Sequence, residues 1–118
     1  MTEFHVVTWK KKPFEVDGSF TGTQKQIYDQ AKAAKDCAFE HCFRKEGDQD
    51  DICSKFARCR EGADYALFED KWHGAVVARS DSVSLDRVRE IAEAQAFDPW
   101  FDPTANGGRG GSLLYVYK

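Results

Sequence analysis

No stretch of this sequence is long and apolar enough to cross a bilayer, and its start, MTEFHVVTWKKK, lacks the apolar core of a signal peptide. The expectation is a cytoplasmic chain that meets no membrane and keeps its cysteines reduced. Neither sign of charge dominates. The 17 basic and 20 acidic residues leave a net charge of −3, which does not suit a general nucleic-acid binder and falls short of DNA mimicry. There is no GxSxG, HExxH, Walker sequence or dinucleotide fingerprint, so no catalytic class is indicated and no cofactor is expected. The four cysteines include no CxxC pair. Internal repeats and low-complexity tracts are also missing. What is present is a 42% apolar, 14% aromatic chain of 118 residues, enough for one globular domain spanning 1–118 with its own core.

The clearest periodicity lies between Thr23 and Gly62, which reads as two helices joined by an acidic turn, Glu46–Asp51. Ile27, Ala31, Ala34, Ala38 and Cys42 fall on one helical face, widened by Phe39 and Phe43. Thr21 with Gln24, and Thr23 with Gln26, each offer a capping box. Asp48, Asp50 and Asp51 would open the second helix, and Arg58, Arg60 and Gly62 would close it. That charge order suits the helix dipole without any ligand. Ile52, Phe56 and Cys59 share its inner face.

Nested disulfides Cys42–Cys53 and Cys37–Cys59 could staple this pair. However, positions five and six apart on a helix differ by about 140° and 120°, so one bridge at most can face the partner helix. Cys37 and His41, one helical turn apart, could begin a zinc site with Cys53, but the spacing departs from that of structural zinc sites. The expectation is therefore no metal, and thiols that pack as small apolar residues.

Phe4–Trp9 reads as a strand with Phe4, Val6 and Thr8 on one face and His5, Val7 and Trp9 on the other. Asp17-Gly18, between apolar flanks, signals a tight turn and a short accessory hairpin. Tyr65–Glu69 and Ala75–Ser80 read as strands joined by Asp70–Gly74. A third helix starts at Ser82 or Ser84, carries Leu85, Val88, Ile91, Ala92 and Gln95 in register, and stops at Asp98-Pro99. Leu113–Tyr117 is the last strand.

The order predicts an α+β fold: a four-stranded antiparallel sheet with helices on one face, in the ferredoxin-like βαββαβ order with the first helix replaced by a helical hairpin. The first and last strands would be neighbours.

Candidate binding residues sit where strands end. Trp72 and His73 lie at a hairpin tip, where the indole either meets a partner or folds back over the sheet edge. Lys10, Lys11 and Lys12 close the first strand, as a solvated end or as a contact for an acidic partner. The connection 98–111 has two Asp-Pro pairs in its first half and four glycines around Arg109 in its second, and is longer than the usual 4–6 residues. Trp100 and Phe101 would anchor it to the core or, with Arg109, contact a partner. Its glycines precede a strand, so they do not form a phosphate loop.

The function expected is a non-catalytic binding module acting by protein–protein contact. It fits a viral or mobile-element inhibitor of a host defence complex, of the anti-CRISPR type. One alternative is a nucleic-acid-binding domain using the sheet and the Lys10–Lys12 end, although Ala75–Ser80 offers none of the aromatics of RNA-binding sheets. The other is a small metal-supported or Cys/His enzyme built on Cys37 and His41.

Overall fold

The computed structural model describes residues 2–11, 14–43, 56, 59–69, 72–96 and 112–117. The elements are β1 (Phe4–Lys11), β2 (Phe14–Gly22), α1 (Gln24–Ala34), α2 (Cys37–Phe43), β3 (Ala63–Glu69), β4 (His73–Arg79), α3 (Leu85–Ala96) and β5 (Ser112–Tyr117). The strands form one sheet in the order β2-β1-β4-β3-β5, with every pairing antiparallel. No helix among the described residues is long and apolar enough to cross a membrane.

The expected α+β class holds, as an antiparallel sheet with helices packed on it. All four expected strands are in the sheet, and β2 joins them as a fifth. The segment expected to make an accessory hairpin is thus one strand, hydrogen-bonded to β1 from Phe4↔Gly22 to Lys11↔Phe14. Between Thr8↔Gly18 and Trp9↔Val16 the register skips Asp17. The Asp-Gly dipeptide therefore marks a β-bulge rather than a turn.

β5 lies beside β3, and β2 holds the place next to β1 that the ferredoxin-like expectation gave to the last strand. The physical reason is proximity along the chain. The β1–β2 loop is two residues long, so its closure costs far less entropy than returning the last strand to β1.

Both faces of the sheet are covered. Phe4 and Val6 of β1 join Phe20, Ile27, Ala31, Phe39, Phe43, Phe56, Cys59, Ala66, Ala75 and Val77 in one core layer. Val7 and Trp9 join Leu67, Val76, Ala78, Val88, Ile91 and Ala92 in the other. Helices on one face therefore describes α1 and α2, while α3 lies on the opposite face. The central strands have the near-continuous apolar run that two-sided burial demands: Gly74 to Ala78 is buried throughout.

The long first helix expected from Thr23 breaks in two. Lys35 adopts the left-handed conformation (φ 54°, ψ 46°), its N–H turned back to the Ala31 and Lys32 carbonyls. α2 then restarts at Cys37. Of the two capping boxes on offer, the second forms: Gln26 N–H donates to Thr23 Oγ1 at 3.3 Å and Thr23 N–H to Gln26 Oε1 at 2.9 Å. Thr23→Ala is expected to lower stability by about 1 kcal/mol. Thr21→Ala, which loses only an exposed hydrogen bond to His5, should cost less. Thermal melts of the two variants measure the difference, and equal losses would assign the cap wrongly.

Candidate functional site

The chemistry-bearing side chains meet at one end of the sheet, where β1, the β2 bulge, the start of α2 and the start of β4 converge. Antiparallel register sets Lys10 directly opposite His73, on the face that carries Thr8 and Ala75. The bulge turns Asp17 towards the same place. Its Oδ1 lies 3.7 Å from Lys10 Nζ, and its Oδ2 accepts from Ala38 N–H at 2.9 Å and from the Cys37 thiol at 3.5 Å. Cys37 Sγ also stands 3.9 Å from His73 Nε2.

Beneath this lies Asp36, buried at 4% exposure beside the fully buried Thr8. A buried carboxyl needs donors, and Asp36 has two. Thr8 Oγ1 donates to its Oδ2 at 2.9 Å, and Phe39 N–H donates to its Oδ1. Asp36 is thereby the N-cap of α2. Gly18 is what lets the hairpin approach it, because a Cβ there would lie 2.1 Å from Asp36 Oδ2 and 2.7 Å from the Phe20 ring.

The two carboxyls titrate in opposite directions. Burial pushes Asp36 above the ordinary carboxylate range. Its bonds from Phe39 N–H and Thr8 pull the other way, and the neighbouring Asp17 adds to the rise. Burial also opposes ionisation of Asp17, but the Ala38 N–H, the Cys37 thiol, Lys10 and Asp36 together outweigh it and hold Asp17 below its usual value. The Cys37 thiol is pushed up, first by burial and then by the Asp17 charge. That is the reverse of what a nucleophilic thiolate needs. Cys59 is pushed up to about 11 by burial and donates to the Val77 carbonyl at 3.3 Å. It packs as the small apolar residue expected of it.

Of the predicted binding residues, the structure brings together Trp72, His73 and Lys10. Trp72 is 59% exposed at the β3–β4 connection, next to His73 and one strand away from Lys10. Lys11 ends β1 opposite Phe14. Lys12, Trp100, Phe101, Arg109 and the acidic turn Glu46–Asp51 lie outside the described residues.

Cys37 and Cys59 are both free thiols, so the Cys37–Cys59 bridge is not formed. The Cys42–Cys53 pair falls outside the described side chains. Cys37 finds His73, 36 positions away, where the sequence offered His41. No group of three metal-ligating side chains occurs among the described residues. Thr8, Asp17 and Asp36 were not singled out by the sequence. The one available signal was Asp36, an N-cap residue type just ahead of the apolar Ala38-Phe39 pair, and it was masked by helical periodicity running through it.

No known protein family, curated protein or solved structure matches the chain.

Proposed function

We propose that this chain is a non-catalytic binding module that acts by protein–protein contact, with the contact centred on Trp72. The observation that carries the reading is the 59% exposure of that indole immediately before a paired strand. The β4 strand that follows it is buried from Gly74 to Ala78 and hydrogen-bonded on both sides. An exposed tryptophan next to an ordered strand has less backbone freedom to lose on binding than one in a long loop, and tryptophan is enriched among interface hot spots. Lys10 and His73 beside it supply polar contacts for the rim. The protonated state of Cys37 and its bond to Asp17 fit a structural role for the thiol better than a catalytic one.

The burial of both faces of β1 and β4 argues against nucleic-acid binding through the sheet surface, because stacked bases need open aromatics on those strands. An inhibitor directed at a host defence complex is the narrower form of the proposal, and it concerns the same surface.

Affinity capture from the native host, read by mass spectrometry, tests the assignment with wild type and Trp72→Ala side by side. Trp72→Ala should leave stability within about 0.5 kcal/mol of wild type. It should weaken the captured partner by roughly 30-fold, the effect of a hot spot of about 2 kcal/mol. Equal affinity of both proteins for the same partner removes Trp72 from the interface and with it the proposal.

A further inference from the structure

Two carboxyls serve adjacent backbone donors at the start of α2. Asp17, from the β2 bulge, takes Ala38 N–H, and Asp36, the residue before the helix, takes Phe39 N–H. They reach the helix from different parts of the chain, 19 positions apart, and Gly18 leaves no side chain between the hairpin and Asp36. The charged and titratable groups around them are Lys10 from β1, the Cys37 thiol from α2 and, beyond that thiol, His73 from β4. Among the described residues a single ammonium, that of Lys10, faces these two potential anions, and it lies on the Asp17 side. Apart from Asp17 itself, the donors to Asp36 among the described residues are the neutral Thr8 hydroxyl and the Phe39 N–H.

We propose that Asp17 and Asp36 act as one carboxyl pair that holds a single proton between them and clamps the start of α2 onto the β1–β2 hairpin, loosening when that proton leaves. With one proton present, Asp17 is the anion, held by Lys10, Ala38 and Cys37, and Asp36 is the neutral acid. Losing the second proton places a buried anion against a neighbouring one in a low-dielectric site, which both burial and like charge oppose.

The directions of titration agree with this arrangement. Asp17, depressed, contributes stability that is present above the ordinary carboxylate range and lost as pH falls through its lowered value. Asp36, raised, contributes stability that is present in acid and lost as pH rises through its raised value. The clamp is therefore tightest between the two steps.

Amide chemical shifts of Ala38 and Phe39, followed by two-dimensional NMR from acid to neutral pH, read the pair directly. In wild type both amides should trace two steps at shared midpoints more than about one pH unit apart. Asp17→Asn should leave one step at Phe39, moved towards the ordinary carboxylate range. Asp36→Asn, whose amide can accept from Phe39 N–H and donate to Asp17 as the neutral acid does, should leave one step at Ala38. Hydrogen-exchange protection of the same two amides, corrected for intrinsic rates, should fall in wild type by at least about tenfold across the upper step, the factor that one unit of coupling represents. It should stay level in Asp36→Asn. Single steps at unrelated midpoints in wild type, unmoved by Asp17→Asn, overturn the shared proton. Protection that stays level in wild type overturns the clamp. If Asp36→Asn does not fold, the wild-type and Asp17→Asn curves decide both points.

Discussion

Phe56→Ala is expected to cost about 3–5 kcal/mol, a large share of the roughly 5–15 kcal/mol that holds a domain of this kind together. Phe56 is fully buried and is the hub of an aromatic cluster drawn from distant parts of the chain. Its ring meets Phe4 of β1 edge-on at 5.1 Å and 81°, Tyr28 of α1 at 5.7 Å and 61°, and Phe43 of α2 at 5.7 Å. Edge-to-face pairs of this geometry contribute about 0.5–1.5 kcal/mol each beyond the area they bury. Truncation removes two of them, together with the tilted contact to Phe43, and leaves a cavity walled by other rings. Those rings are fixed in turn: Phe39 stacks on Phe43 at 4.5 Å and meets Phe20 and Tyr28 edge-on. The walls cannot collapse inward without breaking these contacts, so the cavity term should be close to its full value. Urea denaturation measures the loss. Phe56→Leu should fall between wild type and Phe56→Ala. A loss below about 1 kcal/mol for the alanine variant would mean that Phe56 is not packed as described.

That position was legible in the sequence, because Phe56 and Cys59 share one helical face and both are buried. So was the alternation of β1, whose two faces feed the two core layers residue by residue. Helix α3 was also readable: Val88, Ile91 and Ala92 are buried and Leu85 packs beside them.

Local pattern says which face of an element is apolar, but not which side of a sheet that face will cover. The placement of α3 opposite α1 and α2 was therefore not readable. Nor was the break at Lys35. The 3.6-residue repeat runs on through Ala34 and Ala38, and the chain stops helically only because Asp36 turns away to cap α2 and bond Thr8, 28 positions earlier. Asp17-Gly18 has the composition of a turn, but in β2 it is a bulge, because the strand continues to pair with β1 on both sides of it.

The candidate site was half visible for the same reason. Trp72, His73 and Lys10 stand out by type at strand ends. Asp17, Asp36 and Cys37 acquire meaning only through contacts between segments 20 and more positions from their partners in the hairpin and in β4.

Gly74→Ala is the second substitution with a large expected effect, because Trp9 already occupies the space that a side chain would need. The two residues face each other across the central β1–β4 pair. A Cβ on Gly74 would lie 2.1 Å from Trp9 Cζ2 and 2.2 Å from Cε2, far inside van der Waals contact. The indole is fully buried in the layer that α3 seals with Val88, Ile91 and Ala92, so relief requires moving a helix or the central strands. Overpacking of this kind costs about 1–3 kcal/mol.

Trp9→Phe separates this clash from a simple loss of glycine flexibility. The smaller ring vacates the indole atoms that the new methyl would meet. It also removes the buried Nε1 donor, which has no hydrogen-bond partner among the described residues and whose unmet bond costs about 1–3 kcal/mol. Trp9→Phe alone should then lose less than its smaller volume suggests. The Trp9→Phe/Gly74→Ala double variant should be more stable than the sum of the single losses predicts, by about 0.5–3 kcal/mol, the range found for residues in direct contact. Urea denaturation of the four proteins of this cycle measures the coupling. Strict additivity would mean that Gly74 is needed for its backbone alone and that the indole does not lie against it.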